Sequence, residues 1–268
     1  MSELLSFITT MALRAGDIAS RHQREPANLG IEAKGPLDFV TVADKAVERS
    51  VIDMILVRDP TANILGEEGG VVELGQREPG EHLWIVDPID GTANYMHNLP
   101  WWSVSIALLD KGRPRAGVIH APAMGVTLAT VYGEGVFLNG QPISSQPMAR
   151  LDAPLVMSGA SPLNARNGRG EALSRMIRTE LGGMERQLGC GTASLLHVLL
   201  GKADLYVGLG ERVWDVCAAS IIAENLGFEH SIDWNLPADT LPFDFVCGNM
   251  MLTDRISAHL AVGLTTGA

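Results

Sequence analysis

Two aspartates three residues apart, Asp87 and Asp90, follow the apolar run Trp84-Ile85-Val86, and Gly91-Thr92 comes directly after them. An apolar run that ends in paired carboxylates reads as a buried strand delivering negative charge to a sheet edge. Crowding two such charges away from water costs on the order of several kcal/mol unless cations neutralise them, and hard divalent ions suit oxygen ligands. Pro88 is expected to stop the strand, Gly91 to allow a tight turn with free backbone N–H groups, and Thr92 to add a hydroxyl at the mouth. Such a corner can hold a phosphate oxygen, although Asp90-Gly91 is also an ordinary turn pair.

Other acidic residues could join them. Ile64-Leu65-Gly66-Glu67-Glu68 is a second short apolar run with carboxylates at its end. On an extended segment adjacent side chains point to opposite faces, so one glutamate is expected to ligate and the other to support. Trp214-Asp215 opens a helix, where Asp215 could equally serve as a cap, and Asp44 stands in capping-box spacing to Thr41. Gly191-Thr192-Ala193, expected just before a Leu195 to Leu200 helix, offers backbone N–H groups to a polar ligand or simply a tight start to the helix. The histidines form no zinc-type pair, and no Gly-x-Ser-x-Gly or phosphate-loop glycine motif occurs. Oxygen ligands are therefore the main chemical clue.

These residues need elements to hold them. Leu4, Leu5, Ile8, Met11, Ala12, Ala15 and Ile18 recur at helical spacing, and Val47, Val51, Ile52 and Ile55 repeat the pattern after Thr41. Lys34 to Val40 reads as a turn or hairpin. From residue 62 to residue 132 short apolar runs alternate with turns such as Lys111-Gly112, as in a sheet with antiparallel pairs. Beyond residue 150 strand-like and helical segments alternate: Leu155 to Met157, Glu171 to Glu180, Leu205 to Val207, Val216 to Leu226 closed by Gly227, Phe245 to Cys247 and Asp254 to Val262. The expected division is an N-terminal α+β lobe, residues 1–150, carrying most of the metal ligands, and a C-terminal α/β lobe, residues 151–268, forming one catalytic unit. The stretch Asn139 to Pro154, rich in Gly, Pro and Ser, would join them.

A net charge of −11 over 268 residues disfavours direct contact with nucleic acid or an acidic membrane. No run of roughly 20 apolar residues suggests a membrane span. Cys190, Cys217 and Cys247, odd in number and widely separated, argue for reduced thiols and a cytoplasmic location.

Taken together, Gly66-Glu67-Glu68, Trp84 to Pro100, Gly191-Thr192-Ala193 and Trp214-Asp215 resemble, in order and separation, the inositol monophosphatase family of magnesium-dependent, lithium-sensitive phosphatases. The resemblance implies a mixed α/β fold, a layered α-β-α-β-α sandwich, and a homodimer. It also implies two or three Mg2+ ions held by Glu67, Asp87, the Ile89 carbonyl, Asp90 and Asp215. Gly91, Thr92, Asp90, Ala193 and Asp215 would meet the substrate, a small phosphorylated alcohol or sugar. Glu67, Thr92, Asp44 and Glu68 would serve the reaction, with Lys34 at the mouth. Water activated by the metal would attack phosphorus without a phosphoenzyme.

Ala93-Asn94-Tyr95 resembles the inositol phosphatase branch more than the histidinol phosphate or 3',5'-bisphosphate nucleotide branches, which carry a basic residue after the Thr, and fructose 1,6-bisphosphate or another polyol phosphate stays open as a substrate. Gly208 departs from the family, because animal relatives place there a glutamate that grips inositol hydroxyls; Glu211 is close but not equivalent. Some bacterial relatives bind the transcription machinery with catalysis dispensable, which is the competing expectation. Asp87→Asn should cripple turnover and alter its magnesium dependence, and a steady-state assay over a magnesium series checks this.

Overall fold

The computed structural model describes residues 2–25, 29–35, 38–72, 82–144, 152–161, 164, 167–234 and 241–263. The two N-terminal helices form for local reasons. Ser2 caps α1 (Glu3–Gln23) by accepting from the Leu5 N–H, and the buried face of α1 is Leu5, Ile8, Met11, Ala12, Ala15 and Ala19. Helix α2 (Val42–Arg58) starts at a reciprocal capping box between Thr41 and Asp44 and buries Val47, Val51, Ile52 and Ile55. Between the helices, β1 (Glu32–Gly35) and β2 (Asp38–Val40) make the expected hairpin.

The first large sheet has eight strands: β3 (Asn63–Gly66), β4 (Gly70–Val72), β5 (His82–Asp90), β6 (Ser103–Asp110), β7 (Arg113–Ala121), β8 (Val126–Val131), β9 (Gly135–Leu138) and β10 (Gln141–Ile143), in the order β10-β9-β8-β7-β6-β5-β3-β4. Its neighbours are antiparallel except β3 and β5, which run parallel and open Gly66-Glu67 and Val86-Asp87 on the same edge. A short helix, α3 (Thr92–Met96), follows β5. The second sheet has β11 (Leu155–Ala160), β12 (Met184–Arg186), β13 (Leu205–Glu211), β14 (Glu229–His230) and β15 (Phe243–Gly248) in the order β12-β11-β13-β15-β14. It is parallel around β11 and antiparallel at β15, so the expected parallel layer is only part of it. Helices α4 (Arg169–Thr179), α5 (Gly191–Leu199), α6 (Val213–Leu226) and α7 (Met250–Gly263), with a 3-10 turn at Pro122–Met124, complete the described elements.

Alternation along the strands divides the interior into three cores. Trp84, Val86, Val104, Ile106 and Val118 face α1 and α2, whereas Ile85, Ala107 and Ile119 face α5 and α6. On the second sheet Met157, Tyr206, Phe245 and Cys247 close over the same inner helices, and Val156, Leu205, Val207 and Val246 pack on α4 and α7. The result is the layered α-β-α-β-α arrangement. Each fully buried Leu, Ile or Val contributes about 1.5–3 kcal/mol, so the three cores fix the strand ends firmly.

Several boundaries differ from expectation. Pro88 does not stop β5, which runs on to Asp90. Asp87 pairs with Ser105 and Asp90 with Ser103, so one extra residue bulges from β5, and Pro88 sits where no ladder donor is needed. Gly191-Thr192-Ala193 is the first turn of α5 rather than the segment before it, because Cys190 provides the cap. Strands β4, β9, β10, β12 and β14 and helix α3 are too short for their residues to show a period. Residues 145–151 of the suspected joining stretch lie outside the described residues.

Helix α6 approaches β7 closely because residue 117 has no side chain. A Cβ on Gly117 would stand 2.8 Å from the Ala218 carbonyl oxygen, against backbone that cannot step aside. Gly117→Ala should therefore destabilise by about 1–3 kcal/mol, read as a lower urea midpoint with an unchanged slope.

Candidate active site

Asp87 is the centre of the site. It is 1% exposed, and both of its carboxylate oxygens are buried without a hydrogen-bond partner. Burial drives its carboxyl well above the usual carboxylate range, and the charges of Glu67, Asp90 and Asp215 push it further in the same direction. Four acids from three separate segments thus share one electrostatic neighbourhood. The bulge in β5 brings two of them together: in a regular strand residues three apart face opposite sides, and one inserted residue reverses that parity.

Asp90 is held by the second half of the chain. Its Oδ2 accepts from the Thr192 N–H at 2.6 Å and from the Thr192 hydroxyl at 2.5 Å, with the Cys190 thiol 3.2 Å away. Ser103 from the first sheet hydrogen-bonds the same Thr192 hydroxyl, so the chain Ser103–Thr192–Asp90 ties the layers together at the site. Asp215 is the third residue of α6, and its Oδ2 accepts from the Arg212 N–H at 2.7 Å. It is both a cap and a member of the acidic group. Burial raises its carboxyl well above the usual range, with Glu211 as the next contributor.

Glu67 and Glu68 lie in the turn after β3 rather than on extended chain, and they do not diverge. Lys34 Nζ reaches Glu67 Oε1 at 3.0 Å and Glu68 Oε1 at 2.9 Å, so one ammonium from the β1–β2 hairpin serves both. The alternation argument fails here because a turn does not keep the strand's two-residue repeat. Burial opposes the charged form of Lys34, yet the pull of Glu67 and Glu68 leaves its pKa raised. Glu48, which the sequence did not single out, buttresses the turn by accepting from the Glu68 N–H at 3.0 Å.

Asp44 caps α2 and also turns toward the site. Its Oδ2 accepts from the Thr41 N–H at 2.8 Å, and its Oδ1 stands 3.5 Å from the Thr92 hydroxyl. Burial pushes its carboxyl up to about 6 against the opposing bonds from Thr41. The Thr92 hydroxyl donates to the Ile89 carbonyl at 3.1 Å. Gly91 has a left-handed φ of 84°, and a Cβ there would stand 2.8 Å from the Trp101 carbonyl, so only glycine turns this corner comfortably. Ala193 is fully buried and its N–H goes to Cys190 Sγ; in its place Gly191 and Ser194 line a recess of about 280 Å³ beside Asp90 and Asp215.

Among the described residues no three His, Cys, Asp or Glu side chains already stand in metal-coordinating geometry. Their carboxylates are engaged by protein groups instead: Lys34 holds Glu67, Thr192 holds Asp90, and the Arg212 N–H holds Asp215. The donors nevertheless fit hard cations. A dry carboxylate with two unpartnered oxygens, crowded by three other carboxylates, lacks the positive charge that would stabilise it.

With this geometry established, the whole-chain likeness is decisive. A profile of the inositol monophosphatase family matches residues 1–259. The chain belongs to the inositol monophosphatase family. It is 34% identical to an inositol-1-monophosphatase of Mesorhizobium japonicum over 84% of each chain. It is 30% identical to a fructose-1,6-bisphosphatase/inositol-1-monophosphatase of Thermotoga maritima over 94% of this chain and 93% of that one. The crystal structure of the extragenic suppressor protein suhB from Bartonella henselae superposes with a TM-score of 0.83 at 28% identity, over the full length of both chains. The family fixes the class of chemistry: the protein is a phosphatase, a hydrolase of phosphoric monoesters, and metal dependence is a property of the family.

The shifted carboxyls give the metal-free protein a characteristic pH response. Asp87, Asp215 and Asp44 hold their protons to higher pH when folded than when unfolded, so the folded state binds more protons once pH passes about 4. Stability without divalent cation is therefore expected to fall as pH rises from about 4 through about 6. Mg2+ should raise the melting temperature at pH 7 and flatten that slope, and Asp87→Asn should weaken both responses. Thermal melts across pH, with Mg2+ or with chelator, check this; a magnesium response undiminished in Asp87→Asn would remove Asp87 from the site.

Proposed function

We propose that the protein hydrolyses a small phosphate monoester, inositol monophosphate first among them, in a Mg2+-dependent reaction in which water attacks phosphorus directly. The observation that carries this reading is the pair of buried, unpartnered Asp87 oxygens surrounded by Glu67, Asp90 and Asp215. Glu67, Asp87, the Ile89 carbonyl, Asp90 and Asp215 would hold two or three ions. Bound there, Mg2+ would acidify a water, neutralise the phosphate oxygens and stabilise the departing alkoxide.

The remaining roles belong to the chain's own groups. Thr92 and Asp44 form the pair that orients the attacking water and takes its proton, the Asp44 carboxyl near 6 being able to accept a proton at neutral pH. Glu68 supports this pair through its charge near Asp44 and its ion pair with Lys34. Gly91 and Thr92 would receive the phosphate, and Asp90, Asp215 and the start of α5 near Ala193 would border the alcohol. Residues 1–150 and 151–268 would act as one catalytic unit, in a cytoplasmic homodimer.

The names of two relatives motivate inositol monophosphate and fructose 1,6-bisphosphate as leading candidates. A panel of inositol 1-phosphate, fructose 1,6-bisphosphate, histidinol phosphate and adenosine 3',5'-bisphosphate, assayed with and without Mg2+, tests the proposal. The expected outcome is magnesium-dependent phosphate release, fastest by kcat/KM for inositol 1-phosphate and inhibited by lithium. Release that ignores Mg2+, or a protein that captures a stable protein partner and releases no phosphate, would sink it.

A further inference from the structure

The turn between β3 and β4 carries Glu67 and Glu68, and the backbone N–H groups of residues 67 to 69 all have partners. The Glu67 N–H donates to the Val86 carbonyl at 3.2 Å, one residue before Asp87 on β5. The Glu68 N–H donates to Glu48 Oε1 at 3.0 Å, and the Gly69 N–H bonds to the same carboxylate. One side chain from α2 thus gathers two neighbouring N–H groups of a turn that lies 20 residues further along the chain.

Two glycines make room for it. A Cβ on Gly66 would overlap Glu48 Oε1 and stand 2.9 Å from its Cδ, and one on Gly69 would stand 2.9 Å from Oε2. The Glu48 carboxylate is therefore inserted between the two ends of the turn. It is buried, and it repels Glu68, so its charge is an electrostatic cost in a neighbourhood already rich in acids. A residue needed only to fill this space would be apolar or neutral. What a carboxylate adds is two acceptor oxygens side by side, where an amide of the same size offers one acceptor and a donor. Glu48 also stands one helical turn after Asp44, so both side chains leave the same face of α2. Asp44 lies beside the Thr92 hydroxyl, and Glu48 holds the turn from which Glu67 comes up against Asp87. A single helix thereby sets the place of both.

We infer that Glu48 is a positioning residue for divalent-cation binding: by holding the Glu68 and Gly69 N–H groups it fixes the turn, and with it the direction in which Glu67 is presented to Asp87. The role is exercised through the backbone and requires no contact between Glu48 and cation or substrate. It rests on the phosphatase reading in one respect, that Glu67 is among the groups that hold Mg2+. Gly66 and Gly69 belong to the same device, since a side chain at either position would press on the carboxylate that holds the turn.

The test is the Mg2+ affinity of the substrate-free full chain, measured by titration calorimetry at pH 7, with phosphate release from inositol 1-phosphate read on the same preparations. Glu48→Gln keeps the side chain's size and removes one acceptor; it should weaken Mg2+ binding about 10-fold and raise the Mg2+ midpoint of turnover in parallel. Gly69→Ala crowds the carboxylate without removing its charge, on an exposed turn, and should weaken binding in the same direction. In a Glu67→Gln background the Glu48→Gln change should cost less than about twofold, because the group it positions is already gone. Affinities within about twofold of wild type in both Glu48→Gln and Gly69→Ala overturn the inference, whatever happens to their melting temperatures. A full 10-fold loss that persists in the Glu67→Gln background overturns it as well, since Glu48 would then act by its charge and not through Glu67. Wild-type protein that binds no Mg2+ overturns this inference and the phosphatase reading together. Wild-type protein that binds Mg2+, with variants in the expected pattern but no phosphate released, supports the inference and overturns the phosphatase reading alone.

Discussion

Asp87 is a buried carboxylate that the protein's own hydrogen bonds do not satisfy, and much of the site can be understood as the means of keeping it where it is. A group with two dry, unpaired oxygens would cost several kcal/mol on the order of any buried unpaired charge, and the repulsion of Glu67, Asp90 and Asp215 adds to that cost. A lone loop would relieve it by turning the side chain to water. Here the strand that carries Asp87 is gripped on both faces, Val86 within the core under α1 and α2 and Ile85 within the core over α5 and α6. Packing opposes the electrostatic penalty, and what remains is a site primed for positive charge.

The other acids are placed by devices that are ordinary in themselves. Asp44 and Asp215 are each the third residue of a helix and reach back to the backbone at its start. Such a contact typically contributes about 1 kcal/mol to the helix, and it also fixes the carboxylate's direction. Asp90 is fixed by Thr192, which is fixed in turn by Ser103. Each carboxylate is therefore locked by a group that does not itself carry charge, and repulsion cannot scatter them. Lys34 is the exception: it is a full positive charge on a two-stranded hairpin, standing against Glu67 and Glu68 at the edge of the site. It tempers the acidic cluster from outside, from an element with little core of its own.

The second sheet forms one wall of the recess beside Asp90 and Asp215. Its strand β13 presents Tyr206 and Glu211 to the recess while Leu205, Val207 and Leu209 on the opposite face bind it to α4 and α7. Alternation aims Tyr206 at the recess, and the register shift between Gly208 and Glu211 brings Glu211 to the same side. Cβ atoms at 159, 191 and 208 would crowd the Tyr206 hydroxyl or the Glu211 side chain, so glycine at these positions leaves those groups their room.

The amino-acid order was enough to reveal the helices with clear apolar periodicity, the Thr41–Asp44 capping box and strands β3, β5, β6, β7 and β8 of the first sheet, because each rests on contacts within a few residues or on a two- or 3.6-residue repeat. The run Trp84 to Thr92 and the acids Glu67 and Asp215 were legible as candidates for the same reason: apolar runs ending in carboxylates are visible in one dimension. Only the tertiary structure decided how they meet. Pro88 looked like a stop and became part of a bulge, since the neighbouring strand β6 supplied a partner for Asp90 beyond it. Glu67 and Glu68 looked divergent and share Lys34, because a turn replaced the extended chain. Thr192 as the anchor of Asp90, and Glu211 as the occupant of the space beside Gly208, depend on distances between segments brought together by packing, and no local pattern encodes those.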